Sequence, residues 1–263
     1  MNKLRYQRRV SRSAIWALRL GVFSALLLFL DFLAHRFWEI ETPDAVIIAT
    51  LSAMLATIAL LCAVQGFRNL WQNGDKGGTR SFWGGFLSLV VIALLGVVAG
   101  FWYISPPIYD VTTDYETPLR FPSTMPERTF RMNAITSRAE TDMIMQLSAY
   151  PEVSRRRYDA SPDRVGQGVD AVLEGFGWER ISPAHGILSQ QPVLNFAAVA
   201  HSPILGLKSD VVIRLQDEGE TTLVDMRAVS RYGNRDMGLN AAFITQFMTA
   251  LEGEVNKAPA DAE

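Results

Sequence analysis

Apolar residues are distributed in two different ways along this chain. Up to residue 105 they form long, nearly unbroken runs; beyond Pro106-Pro107 they alternate or recur at helical spacing. Ala45–Phe67 is a run of twenty-three residues without a formal charge. At 1.5 Å per helical residue it covers the ~30 Å hydrocarbon core of a bilayer. Ser81–Tyr109 is a second such run, whose helix Pro106-Pro107 should stop near Ser105. Ala14–Trp38 is also strongly apolar but holds Arg19 and Asp31 in its outer thirds. Arg19 is long enough to snorkel, and Asp31 reads as a near-interface carboxylate reached by water, with a proton relay as the second reading. The pattern therefore predicts a membrane anchor over residues 1–105, with spans at about 14–38, 45–67 and 82–105.

Residues 106–134 are proline-rich and read as an extended linker laid along a domain at 135–263. Ser137 to Glu140 is a capping box, and Ala139, Met143, Leu147 and Tyr150 form a helical stripe that ends at Pro151. Ser161-Pro162 opens a second helix, with Val165, Val169, Val172, Leu173 and Phe176 on one face and Gly175 and Gly177 as stops. Strands follow at Trp178–Ser182, Gly186–Gln190 and Leu194–His201. Asp210–Gln216 and Thr221–Val229 then flank a glycine-containing loop, Asp217–Glu220, as a hairpin. Folding it about that loop pairs positions whose numbers sum to 437, so Asp210 lies opposite Arg227 and Arg214 lies diagonal to Asp225. A closing helix, Met237–Glu252, has Asp236 as its cap and Gly253 as its stop. Consecutive strands joined by short turns imply an α+β domain, with a mainly antiparallel sheet and helices on one face.

Charge sharpens this division. Residues 1–105 carry a net +5 and residues 106–263 a net −7, so a nucleic-acid partner is not expected. Five of the six tryptophans fall near span ends, where an aromatic belt lies. Nine Lys/Arg lie in the leader and in the loop between the second and third spans, against Arg36 alone between the first and second. The positive-inside rule then places the N-terminus in the cytoplasm and, after three spans, the C-terminal domain on the other side of the membrane. Gly96 and Gly100 form a G-x-x-x-G that admits a close helix, either the chain's own or that of a second copy. Cys62 is a lone cysteine, so neither a disulfide within the chain nor a zinc framework is expected.

No nucleophile elbow, zincin motif, Walker loop or dinucleotide fingerprint occurs, and neither cofactor nor metal is expected. His35, His185 and His201 are widely separated. The dense polar constellation is Asp210, Arg214, Asp225, Arg227, Ser230, Arg231, Asp236 and Asn240. Its residues can satisfy one another across strands and cap the last helix. Alternatively, guanidiniums and a helix N-terminus converge on an anion such as a carboxylate or phosphate. Two functions follow: an envelope module that binds a partner protein or an amphiphile, or a membrane-anchored, hydrolase-like enzyme acting on an envelope substrate. The enzyme would need a base beside Ser230, and no histidine is close to it in sequence.

The segments Lys208–Arg214, Val224–Gly233 and Asp236–Ala241 resemble the F-K-D-D-V-V-I-R, V-D-V-R-S-x-S-R-x-G and D-L-G-x-N-A patterns of a bacterial family, the domain of unknown function numbered 1499. Tyr109–Asp114 is similar to that family's D-I-T-T-D segment, so the likeness spans roughly Tyr109–Leu251. Ser209 stands where the family usually has a second aspartate. The resemblance implies an envelope or membrane context and no established activity.

Overall fold

A computed structural model describes residues 9–117, 119–135, 140–181 and 193–257. The chain divides into two compact units, Met1–Tyr103 and Ile104–Glu263. In the first unit, α1 (Arg12–Phe37), α2 (Thr42–Asn73) and α3 (Gly78–Ile104) are each long and apolar enough to cross a membrane. Ser11 caps α1, its hydroxyl accepting from Ala14 N. Gly74, at φ 68°, ends α2 in the left-handed conformation that suits glycine. Small residues let the helices close on one another: a Cβ on Gly84 would lie 2.4 Å from the backbone of Ala17, and one on Gly21 2.6 Å from Gly84 O. Gly96 and Gly100 differ, with nothing within 4 Å of where their Cβ atoms would be. The chain's own spans therefore leave that G-x-x-x-G face uncovered. Asp31 is 7 % exposed, on the buried side of α1, while His35 one turn later lies 3.0 Å from Thr42 Oγ1.

The second unit is α+β, with an antiparallel sheet. Its strands are β1 (Asp110–Thr112), β2 (Arg156–Tyr158), β3 (Glu179–Arg180), β4 (Val193–His201), β5 (Lys208–Asp217) and β6 (Thr222–Ser230). The order across the sheet is β1, β6, β5, β4, β3, and β2 shares the β1 edge, pairing with Thr222–Val224 while β1 pairs with Arg227–Val229. Between them lie α4 (Glu140–Ala149) and α5 (Pro162–Gly175), and α6 (Leu239–Val255) closes the fold. Strand alternation turns Val211, Ile213 and Leu215, with Val224, Met226 and Ala228, onto α5 and α6. Those helices answer with Val165, Val169, Leu173, Ile244, Phe247 and Leu251, all nearly inaccessible. Trp178 closes this core, its ring centroid 5.6 Å from Phe243 and 5.9 Å from Phe247.

Several elements depart from the sequence pattern. The capping box at Ser137 and the strand expected at Gly186–Gln190 lie outside the described residues. The stripe expected along α4 is met only in part: Tyr150 packs against the core and Met143 is half-buried, but Leu147 is 51 % exposed and Gln146 is fully buried. Gly253 does not stop α6, which continues to Val255, where Arg164 donates to Glu254 O and Lys257 O. The hairpin pairs positions that sum to 439, Ser209 with Ser230 and Asp217 with Thr222, so Asp210 faces Val229 and Arg227 faces Val212. The reason is in the loop. Asp217 remains in the strand, and its carboxylate accepts from Gly219 N at 2.8 Å, which moves the four-residue loop on to Glu218–Thr221. A slip of two keeps every side chain on its own face, so the pattern of alternation survives while the partners change.

A buried charge network as the candidate functional site

The sheet face opposite α5 and α6 carries Asp210, Arg214, Asp225 and Arg227, and it is covered as well. Every residue of β6 is buried, Asp225 completely. The cover is built from residues 113–117 and 119–135, and three sets of contacts, joined by Asp110 and Arg155, close it over these charges.

The first set is held by Arg227. Its Nε and one terminal nitrogen donate to the two oxygens of Asp110 on β1, at 3.0 and 2.7 Å. Its other terminal nitrogen donates to Leu119 O at 2.8 Å, and Phe121 lies with its ring centroid 5.6 Å from the guanidinium carbon. The second set is a square of alternating charge. Arg214 donates to Asp114 at 2.6 Å and to Asp225, its direct cross-strand neighbour, at 2.8 Å. Arg155 completes the square, 2.7 Å from Asp114 and 3.4 Å from Asp225. Thr113 donates to Asp225 at 3.1 Å and accepts from Met226 N at 2.9 Å. The third set gathers on Asp210, which accepts from Arg128 at 2.6 Å and Arg231 at 2.8 Å. Asn133 fastens the end of the segment to Ser230 O and Gly233 O.

Ser230, Asp236 and Asn240 form a separate corner. Ser230 Oγ accepts from Asn240 Nδ2 at 3.0 Å and lies 3.3 Å from Ser209 Oγ. Asp236 accepts from Gly238 N and Asn240 N, both at 2.9 Å, so the first turn of α6 already holds a carboxylate of the protein itself. The eight sequence-predicted residues are thus divided between the two sides of the sheet: Asp210, Arg214, Asp225, Arg227 and Arg231 meet on the covered face, whereas Ser230 turns toward α6, where it meets Asn240, with Asp236 at the start of that helix. Asp110 joins them from β1, Thr113, Asp114, Arg128 and Asn133 from the cover, and Arg155 from the residues before β2. Of these, Asp110 and Asp114 sit in the family-like Tyr109–Asp114 segment. Arg128 and Arg155 carry no local signal, because the carboxylate partner of Arg128 is about 80 residues away and those of Arg155 are about 40 and 70 residues away.

The electrostatics follow from this packing. Burial pushes the Asp114 carboxyl upward, but the hydroxyl and amide of Thr117, then Arg214 and Arg155, outweigh it and hold it at about 2. Burial raises Asp236, and the amides of Asn240 and Gly238 offset only part of that. Burial, followed by Asp236 and Glu152, pushes the Tyr150 phenol up to about 12. A depressed carboxyl contributes stability that is present above its unfolded value, near 4, and lost as pH falls through its folded value. Thermal unfolding across pH 2 to 6 is therefore expected to separate the wild type from Asp114→Asn above pH 4, with the two curves converging toward pH 2. Curves that stay parallel over that range would remove Asp114 from the network. Asp236 acts with the opposite sign, its contribution declining as pH rises from near 4.

Chemically, the arrangement clamps the covering segment. Each guanidinium that could greet an anion already holds a carboxylate, and the neighbours of Ser230 Oγ are a serine and an amide. Among the described residues, no group of three His, Cys, Asp or Glu is arranged for a metal ion. His201 is half-buried at the end of β4, and His185 lies outside the described residues. Residues 110–251, more than half of the chain, match the family described as "Protein of unknown function (DUF1499)". No curated protein matches the chain.

Proposed function

The chain belongs to the DUF1499 family, and we propose that it is a multi-pass membrane protein whose second unit is a binding module, not an enzyme, for a partner protein or an envelope amphiphile. The observation that carries this reading is a contrast in how side chains are used. The charged cluster is paired within itself, whereas α4 turns Ile144, 61 % exposed, and Leu147, 51 % exposed, outward beside half-buried Met143. The test is purification from native membranes, comparing proteins and lipids retained by the wild type and by Ile144→Glu/Leu147→Glu. Loss of a retained species from a folded variant supports the reading. An unchanged set of species, together with loss of one on Ser230→Ala, would favour an envelope hydrolase.

The uncovered face at Gly96 and Gly100 supports a further membrane contact with a second copy. Gly100→Leu is expected to abolish crosslinked dimers without altering the bundle, and dimers that persist would remove this contact. The positive leader and second loop support an inner-membrane location with the N-terminus cytoplasmic and the second unit periplasmic. A reporter that fluoresces only in the cytoplasm, fused after Glu263, should stay dark; a bright fusion would reverse the orientation.

A further inference from the structure

We propose that the end of the second unit that receives the chain from α3 is a docking surface for the bilayer itself, with Phe130 and Ile204 as its apolar contacts and Arg131, Lys208 and Arg235 as its charges. This rests on the three apolar helices crossing that bilayer.

The hydrogen bonds bring four separate segments to this end. Arg235 donates to Ser105 O, the carbonyl immediately after α3, and Asp236 N donates to Ile108 O. Ser230 N donates to Tyr109 O and Arg231 N to Lys208 O, so β6 ends where β5 begins. His201 pairs with Lys208, which places the turn carrying Ile204 at the same end. Asn133 N donates to Arg231 O, which brings in the loop carrying Phe130. Phe130 is 98 % exposed and Ile204 74 % exposed, so two of the most exposed large apolar side chains of this unit share one end.

The tether fixes what lies nearby. Only residues 105–109 separate α3 from β1, a reach of roughly 20 Å even when fully extended. The first of them is already held by Arg235. With α3 spanning, Trp102 and Tyr103 mark the interface, and Ser105 and its guanidinium lie at headgroup depth. Charge agrees with this placement. In a unit of net −7, this end carries Arg131, Lys208 and Arg235 beside Arg128 and Arg231, which hold Asp210, while its acids Asp110, Asp210 and Asp236 are buried and Glu127 is exposed. The opposite end, where β5 turns into β6, is the acidic Asp217-Glu218-Gly219-Glu220. A bilayer with anionic headgroups attracts the first end and repels the second.

The test uses the full chain in nanodiscs of phosphatidylcholine, with and without phosphatidylglycerol, each doped with a lipid carrying a nitroxide near its headgroup. On a Cys62→Ser background, Phe130→Cys, Ile204→Cys and, as the far-end control, Glu220→Cys are each labelled with an environment-sensitive fluorophore. Emission at positions 130 and 204 should shift to the blue and be quenched by the nitroxide lipid, more strongly with phosphatidylglycerol; position 220 should do neither. Equal, solvent-like emission at all three would overturn the proposal. So would blue-shifted emission that the nitroxide does not quench, because protein would then be the cover. A carbonate wash of proteoliposomes reports separately on the anchor: a chain that stays while positions 130 and 204 remain wet defeats the docking surface alone, and a chain that washes off defeats both readings.

Discussion

Arg227→Ala is expected to destabilise the second unit by ~3–5 kcal/mol, because it leaves Asp110 buried beside β6 without its bidentate partner. The side chains of Arg227 and Asp110 are 5 % and 12 % exposed, so water cannot replace the lost interaction cheaply. Leu119 O loses its donor at the same time, and the covering segment is released at its middle. The measurement is urea unfolding of fragment 106–263, followed through Trp178, which is its only tryptophan. That fragment nearly coincides with a compact unit that has its own core, and it should be soluble and unfold cooperatively. A double-mutant cycle identifies the partner. Asp110→Ala and Arg227→Ala together should cost clearly less than the sum of the two, while Asp210→Ala should couple to Arg128→Ala and Arg231→Ala instead. A dominant Asp210–Arg227 coupling would restore the register that sums to 437.

Gln146→Leu should be nearly as damaging, at about 2–4 kcal/mol, although it replaces a polar residue by an apolar one on a helix. Gln146 Oε1 accepts from Thr112 N at 3.1 Å, and its Nε2 donates to Thr112 O and Tyr115 Oη, each at 2.8 Å. β1 is an edge strand, and this one side chain supplies the backbone partners that a further strand would otherwise give. Leucine would orphan both buried backbone groups of Thr112. Leu147→Gln on the same helix should change stability by less than ~0.5 kcal/mol, because Leu147 points outward. Chemical denaturation of the two variants compares them directly, and equal losses would place α4 the other way round.

That contrast shows what could be read from the sequence. Unbroken apolar runs located the three long helices, and periodicity located α5 and the β5–β6 hairpin, because in those two the burial of one face repeats along the chain. It misplaced the inner side of α4, since Gln146 is buried for its hydrogen bonds and not for its hydrophobicity. It also could not see β2, a three-residue strand of two arginines and a tyrosine whose pairing with β6 is wholly non-local. The polar residues of β5 and β6 stood out by composition and spacing, and Arg214 with Asp225 did meet. The partners of Arg227 and Asp210 did not stand out, because the first is a three-residue strand that follows the last span and the second is an arginine in a proline-rich segment. Alternation fixes the face on which a charge lies; only the fold decides what comes over to meet it.

Hydrogen exchange across residues 110–135 of the full chain in nanodiscs tests most directly whether the charged face is closed by its own cover. The amides of Thr112, Thr113 and Asn133, which donate to Gln146 Oε1, Met226 O and Arg231 O, should be protected to an extent approaching that of β6. Arg214→Met should lower protection along the segment while β4 to β6 hold. Exchange of 110–135 at the rate of unstructured chain, with β4 to β6 still protected in the wild type, would contradict the account, for Asp210, Arg214, Asp225 and Arg227 would then face solvent and be available to a ligand.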